Sequence, residues 1–284
     1  MMPAAQRAPA AGASLRQHWP EYLIEAWALG MFMISAGVLS TLLVFPGSPL
    51  QRVVQNEDLQ RALVGVAMGL TAIALIYSPW GKRSGAHMNP AVTLTFLRLG
   101  KIAPWDAVFY IAAQFIGGIL GVLITAALLR DAFTAPPVRY VATLPGALGP
   151  IGAFVAEFGI SALLMSVILR TSNSPRYARF TGLCAGAMVA VYITLEAPVS
   201  GMSMNPARSF ASAFPAGLWG DLWVYFTAPV LGMQAAAAWY VFRRGKQSVA
   251  CAKLLHPADQ RCIHCGYVPT ARGNLAPETR RALR

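Results

Sequence analysis

The sequence predicts an all-α membrane protein: six transmembrane helices and two re-entrant half-helices, arranged as an inverted internal repeat. Three observations carry this. The 284 residues are 56% hydrophobic and only 12% charged, about half the charged share of a soluble domain. Apolar stretches of about 20 residues, long enough to cross a hydrocarbon core, recur along the chain. Finally, SGAHMNPAVT at 84–93 returns as SGMSMNPARS at 200–209, a duplication that organises everything else.

Residues 1–19 are polar and Ala-rich, without a signal-peptide layout, and read as a cytoplasmic segment. Spans follow near 21–44, 61–79, 104–129, 150–170, 180–199 and 220–243. Two apolar pieces, 89–99 and 205–214, are shorter: about ten residues, roughly 15 Å of helix, reach halfway through a core about 30 Å thick. Gly117-x-x-x-Gly121 and Gly182-x-x-x-Gly186 fit close helix crossings. With both termini cytoplasmic, 18 of the 23 Lys and Arg residues fall inside and five outside, which sets the orientation. The net charge of +12 therefore lies around the spans and argues against a nucleic-acid partner. Three spans per repeat is an odd number, so the halves (about 20–130 and 150–244) cross in opposite directions. Such repeats place a functional site at the midplane, between broken helices.

Asn followed by Pro is a strong helix start: the Asn oxygen caps free N–H groups, and Pro at the first position has φ already set. Asn89-Pro90-Ala91 and Asn205-Pro206-Ala207 both sit in apolar surroundings, where irregular backbone is tolerated only if buried or lining a cavity. Two half-helices entering from opposite faces would meet N-terminus to N-terminus, each bringing about half a positive charge. Cations are repelled there, while Asn amides donate to a neutral solute. Gly85, Ala86 and His87, with Gly201, Met202 and Ser203, can present carbonyls as acceptors. That is the layout of a selective pore for uncharged molecules.

With six spans and this repeat spacing, the two boxes resemble the major intrinsic proteins, the aquaporins and aquaglyceroporins. The resemblance covers roughly residues 20–244 and implies a homotetramer with one pore per subunit, in the plasma (inner) membrane, passing water or small neutral solutes. It makes Asn89 and Asn205 the paired pore asparagines. It also implies a four-residue selectivity filter of Met68, Ile193, Met202 and Arg208, with Gly69 the alternative to Met68 because SPWGKR is one residue longer than the usual connection. This filter lacks the aromatic and histidine of strict water channels, and the Trp and following Asp of glycerol facilitators. Glu25 and Glu157, at corresponding places in spans one and four, are candidate proton-relay groups by their burial; the resemblance implies instead that they hold the re-entrant loops. Glu196 has no evident role.

The tail, 245–284, is not required by such a fold. Cys251, His256, Cys262 and Cys265 make a possible tetrahedral zinc set, with His264 the alternative to His256. A reduced or redox-responsive thiol pair is the other reading. Cys184 reads as a packed thiol. No cofactor is required beyond this possible structural zinc, and the sequence holds no nucleophile–base pair that would suggest an enzyme. Two rival classes remain: an ion-coupled secondary transporter, which would need further midplane ionisable groups, and a non-conducting membrane scaffold.

Overall fold

The computed structural model describes residues 10–269, all helix, turn and loop with no strand among them. Eight helices position the site: α1 (Ala11–Val44), α2 (Glu57–Tyr77), the half-helix α3 (Pro90–Arg98), α4 (Pro104–Leu129), α5 (Gly149–Ser172), α6 (Thr181–Leu195), the half-helix α7 (Pro206–Ala216) and α8 (Leu222–Arg244). Five of the segments are long and apolar enough to cross a membrane. The sixth predicted span, α8, has 23 residues but a lower hydropathy, with Pro229 inside it. α8 packs along α5 as α1 packs along α4, and α2 pairs with α6. The contacts therefore follow the duplication seen in the sequence.

Most spans lie within a few residues of expectation, with two differences. α1 begins at Ala11, so residues 11–19 are helix rather than a separate leading segment. Its early turns have a partner in α4: His18 Nδ1 lies 2.9 Å from buried Asp106 Oδ1, and within α1 the buried Ser14 carbonyl accepts from Tyr22 Oη at 3.1 Å. The fifth span ends at Leu195, because Pro198 starts a separate turn, Ala197–Ser200. The leading residues 1–9 and the tail end 270–284 lie outside the described residues.

Small residues allow the close crossings. A Cβ added to Gly117 would lie 2.0 Å from Ala26 O, and one on Gly121 2.4 Å from Gly30 O, so α1 and α4 touch backbone to backbone. Gly186 meets Gly69 O and Ile73 of α2 in the same way. Large apolar side chains such as Leu70, Leu128, Leu163 and Phe242 face outward and are exposed. That outward apolar surface suits lipid rather than water.

Candidate functional site

The half-helices start as their sequences dictate. Asn89 Oδ1 accepts Ala91 N at 2.8 Å; Asn205 Oδ1 accepts Ala207 N at 3.1 Å and Arg208 N at 3.2 Å. The two starts meet. Asn89 Nδ2 donates to Met204 O at 2.6 Å, and Asn205 Nδ2 to Met88 O at 2.7 Å. Each amide thus spends one N–H on the opposite box and keeps the other for the space beside it, since an amide nitrogen has two. The expectation that both asparagines face a solute freely is narrowed by this reciprocal stitch.

The loops leading into the boxes share one backbone course. Gly85, Ala86 and Met88 have φ of 106°, 54° and 49°; Gly201, Met202 and Met204 have 79°, 50° and 53°. A left-handed conformation costs roughly 1–2 kcal/mol for a residue with a Cβ, so something must hold it. Buried Glu25 accepts from Ser84 Oγ, His87 N, Met88 N and Gln114 Nε2 at 2.7–3.1 Å. Buried Glu157 accepts from Ser200 Oγ, Ser203 N and Met204 N at 2.6–2.7 Å. Charge-assisted bonds of this kind contribute about 1.5–3 kcal/mol each, enough to offset the strain. Tyr110 Oη donates to Ser84 O at 2.8 Å, and Tyr225 Oη to Ser200 O at 2.6 Å. Neither tyrosine nor Gln114 was anticipated. The tyrosines do leave a trace, each seven residues before a crossing glycine, Gly117 or Gly232.

A cavity of about 670 Å³ joins these parts. Met68, Ile193, Met202 and Arg208 all line it, as do Ala86, His87, Gly201, Ser203 and both asparagines. Gly69 does not: a Cβ there would sit 2.6 Å from Gly186 O, on the contact between α2 and α6. Between the two alternatives, packing therefore puts Met68 in the cavity wall. Gly85 is also absent from the lining, and its carbonyl already accepts Leu254 N at 3.2 Å. Arg208 Nη1 is buried with no hydrogen-bond partner among the described residues, a donor available to whatever occupies the cavity. Both carboxylate oxygens of Glu196 are likewise buried without a partner, outside the cavity wall.

Away from the boxes, Cys251, His256, Cys262 and Cys265 come together, their ligand atoms all within 4.8 Å of one another. Cys251 Sγ is 3.4 Å from Cys262 Sγ, and His256 Nε2 is 3.2 Å from Cys265 Sγ. A tetrahedral zinc with Zn–S near 2.3 Å needs sulfurs about 3.8 Å apart, so the donor set fits such an ion. Gly266, at φ 73°, lets the chain turn back so that its N–H reaches Cys262 O and Cys262 N reaches Tyr267 O. The Cys262 thiol is pushed far below its ordinary range, first by the hydrogen bond with Cys251 and then by that with Cys265. His264 is not in the cluster; its Nε2 lies 3.1 Å from Ser84 O. Cys184 is a free, half-buried thiol.

Spanning helices closed around two half-helices that meet at their N-termini are the architecture of a membrane channel. Residues 16–240 match the model of the major intrinsic protein family, and the chain belongs to that family. Members of this family are passive channels for water and small solutes. Among similar proteins, aquaporin NIP2-3 of Zea mays is 34% identical over 237 residues, covering 82% of this chain and 75% of that one. The NIP4-1 relative of Arabidopsis thaliana is 42% identical over 170 residues, where the match spans 59% of this chain and 58% of the relative. In fold, the chain is similar to the aquaglyceroporin from Plasmodium falciparum, with a TM-score of 0.66 at 21% identity over 79% of this chain and 96% of that one.

Proposed function

We propose that this chain is a passive pore for small uncharged molecules, water and the glycerol, urea and ammonia class among them. In this reading Asn89 and Asn205 contact the solute at the midplane, and Met68, Ile193, Met202 and Arg208 form the narrow part. The observation that carries it is the cavity linking both Asn boxes to an Arg208 guanidinium with a free donor. A solute entering exchanges water for the carbonyls of Ala86, His87, Gly201, Met202 and Ser203 on one side, and for the N–H groups of Arg208 and the asparagines on the other. Three apolar side chains opposite one cation suit a molecule with one polar and one greasy edge. Two opposed helix starts and Arg208 repel cations and protons.

Glu25 and Glu157 act as struts of the loops, their oxygens filled by donors. With both saturated, neither Glu25 nor Glu157 is free to couple transport to an ion gradient, and we read the protein as a channel without catalytic activity. Residues 20–244 form the channel domain and assemble as a homotetramer in the plasma membrane, with both termini cytoplasmic. The tail, 245–284, binds a structural zinc through Cys251, His256, Cys262 and Cys265, for which the close donor set is the support.

Stopped-flow light scattering of proteoliposomes holding the full chain, with and without a zinc chelator, tests the reading against water, glycerol, urea and ammonia. Glycerol or ammonia entry above that of empty vesicles is expected, independent of ion gradients. Replacing the cation, Arg208→Val, is expected to change the ratio of glycerol to water flux by about tenfold, the effect of losing about 1.4 kcal/mol of discrimination. Water flux without glycerol entry would overturn the greasy filter, and dependence on an ion gradient would overturn passive transport.

A further inference from the structure

Residues 249–267 contain neither helix nor strand, yet they are packed against one mouth of the pore. Val249 and Ala252 are fully buried, and Leu254 nearly so, in the same apolar cluster as Ile76, Ala86, Leu164 and Ile168. Leu254 also lines the pore cavity. Its N–H occupies Gly85 O, and Ala252 O lies 2.8 Å from His87 Nε2. The segment thus places a greasy side chain at the end of the carbonyl ladder and uses up two polar groups there. His264, within the Cys262–Cys265 turn, reaches Ser84 O of the same loop.

Lys253 supplies an electrostatic argument. It is 2% exposed, and its Nζ donates to Lys82 O and Arg261 O, with no carboxylate partner among the described residues. A buried ammonium held by carbonyls alone is costly unless negative charge lies close by. Three thiolates and one imidazole around a divalent ion carry a net charge of minus one. The ion-filled cluster would therefore balance Lys253 and tie together a segment that has no regular structure of its own.

We propose that residues 249–267 are a metal-latched plug: a zinc-class ion on Cys251, His256, Cys262 and Cys265 keeps Leu254 in the mouth, and removal of the ion releases it and opens the pore. This rests on the zinc reading of the tail. An ion that binds the docked segment, and not the released one, shifts the equilibrium between them by its differential affinity.

The test uses full-length protein in vesicles, with zinc content per chain and solute flux read on the same sample. Zinc-loaded protein is expected to conduct poorly, and chelation on both faces to raise flux at least about tenfold, reversed by added zinc. Leu254→Ala is expected to raise flux while zinc stays bound. Joint replacement, Cys262→Ser with Cys265→Ser, is expected to lose zinc and match the chelated rate. Bound zinc with equal flux in the loaded, chelated and Leu254→Ala samples overturns the plug and leaves the zinc reading standing. Absence of bound zinc overturns the latch together with the zinc reading, even if Leu254→Ala raises flux. No flux in any sample also overturns the plug, because its release must open a path.

Discussion

The two re-entrant loops, 84–88 and 200–204, repeat the same backbone turns, the same Ser–Glu clamp and the same tyrosine bond, but they are covered by different parts of the chain. At Gly201 the neighbour is the connection between the repeats: a Cβ there would meet Leu144 N at 2.8 Å and Thr143 Cα at 3.0 Å. At Gly85 it is the tail, with Lys253 Cγ at 3.1 Å. Ser203 joins a hydroxyl chain through Ser209 to Thr143, whereas His87 bonds Thr93 and the Ala252 carbonyl. The duplicated parts therefore supply the machinery where the two boxes meet, and what lies over each loop is particular to its half. Function common to both halves should reside in the clamp, and function peculiar to one half in its cover.

The largest test of that division removes the clamps. Glu25→Ala leaves four donors without their acceptor and Glu157→Ala leaves three; at about 1–3 kcal/mol for each buried orphan, several kcal/mol are lost. Thermal unfolding in detergent should show both variants strongly destabilised, Glu25→Ala more so, with Glu→Gln milder at either site. Tolerance of either alanine would separate the carboxylates from the loops.

Smaller effects sharpen the contrast between the covers. Gly201→Ala drives a methyl group into backbone, and Gly85→Ala meets the Lys253 side chain first. Both carry the left-handed penalty of roughly 1–2 kcal/mol, and overpacking should cost Gly201→Ala about 1 kcal/mol more. Deleting 249–284 should relieve Gly85→Ala and leave Gly201→Ala unchanged in the same unfolding measurement. The smallest difference lies at the tyrosines. Tyr225→Phe leaves buried Ser200 O without its side-chain donor, at about 1 kcal/mol. Tyr110→Phe should cost less, because His264 still reaches Ser84 O; equal losses would mean that the tail contact contributes nothing.

The parts legible in the sequence are those with a local chemical signature. Asn-Pro announces a helix start wherever it occurs, and its recurrence with Ser-Gly ahead of it located both boxes and both half-helices. Glu25 and Glu157 stood out as charges in apolar runs at matching places. Met68 against Gly69 could not be settled from spacing, since the answer depends on which face of α2 packs on α6. The docking of the tail left no trace either. Lys253 and Lys82 lie 171 residues apart, and nothing in a Cys/His knuckle says which surface it will rest on. The start of α1 at Ala11 has a related reason: residues 11–19 are polar enough to read as solvent-facing, yet His18 Nδ1 lies 2.9 Å from buried Asp106 Oδ1 of α4, a contact between residues 88 positions apart.

The crossed amide bonds also bear on how the chain is made. Asn89 donates to a carbonyl 115 residues further on, which at roughly 5–20 residues per second is about 6–23 s of synthesis. Through that interval the first half-helix exists without the partner that closes its amide. The ribosome therefore delivers two halves that can each insert, but only their encounter completes either one. A stalled or truncated chain ending before Met204 would present quality control with a re-entrant hairpin whose open donor marks it as unfinished.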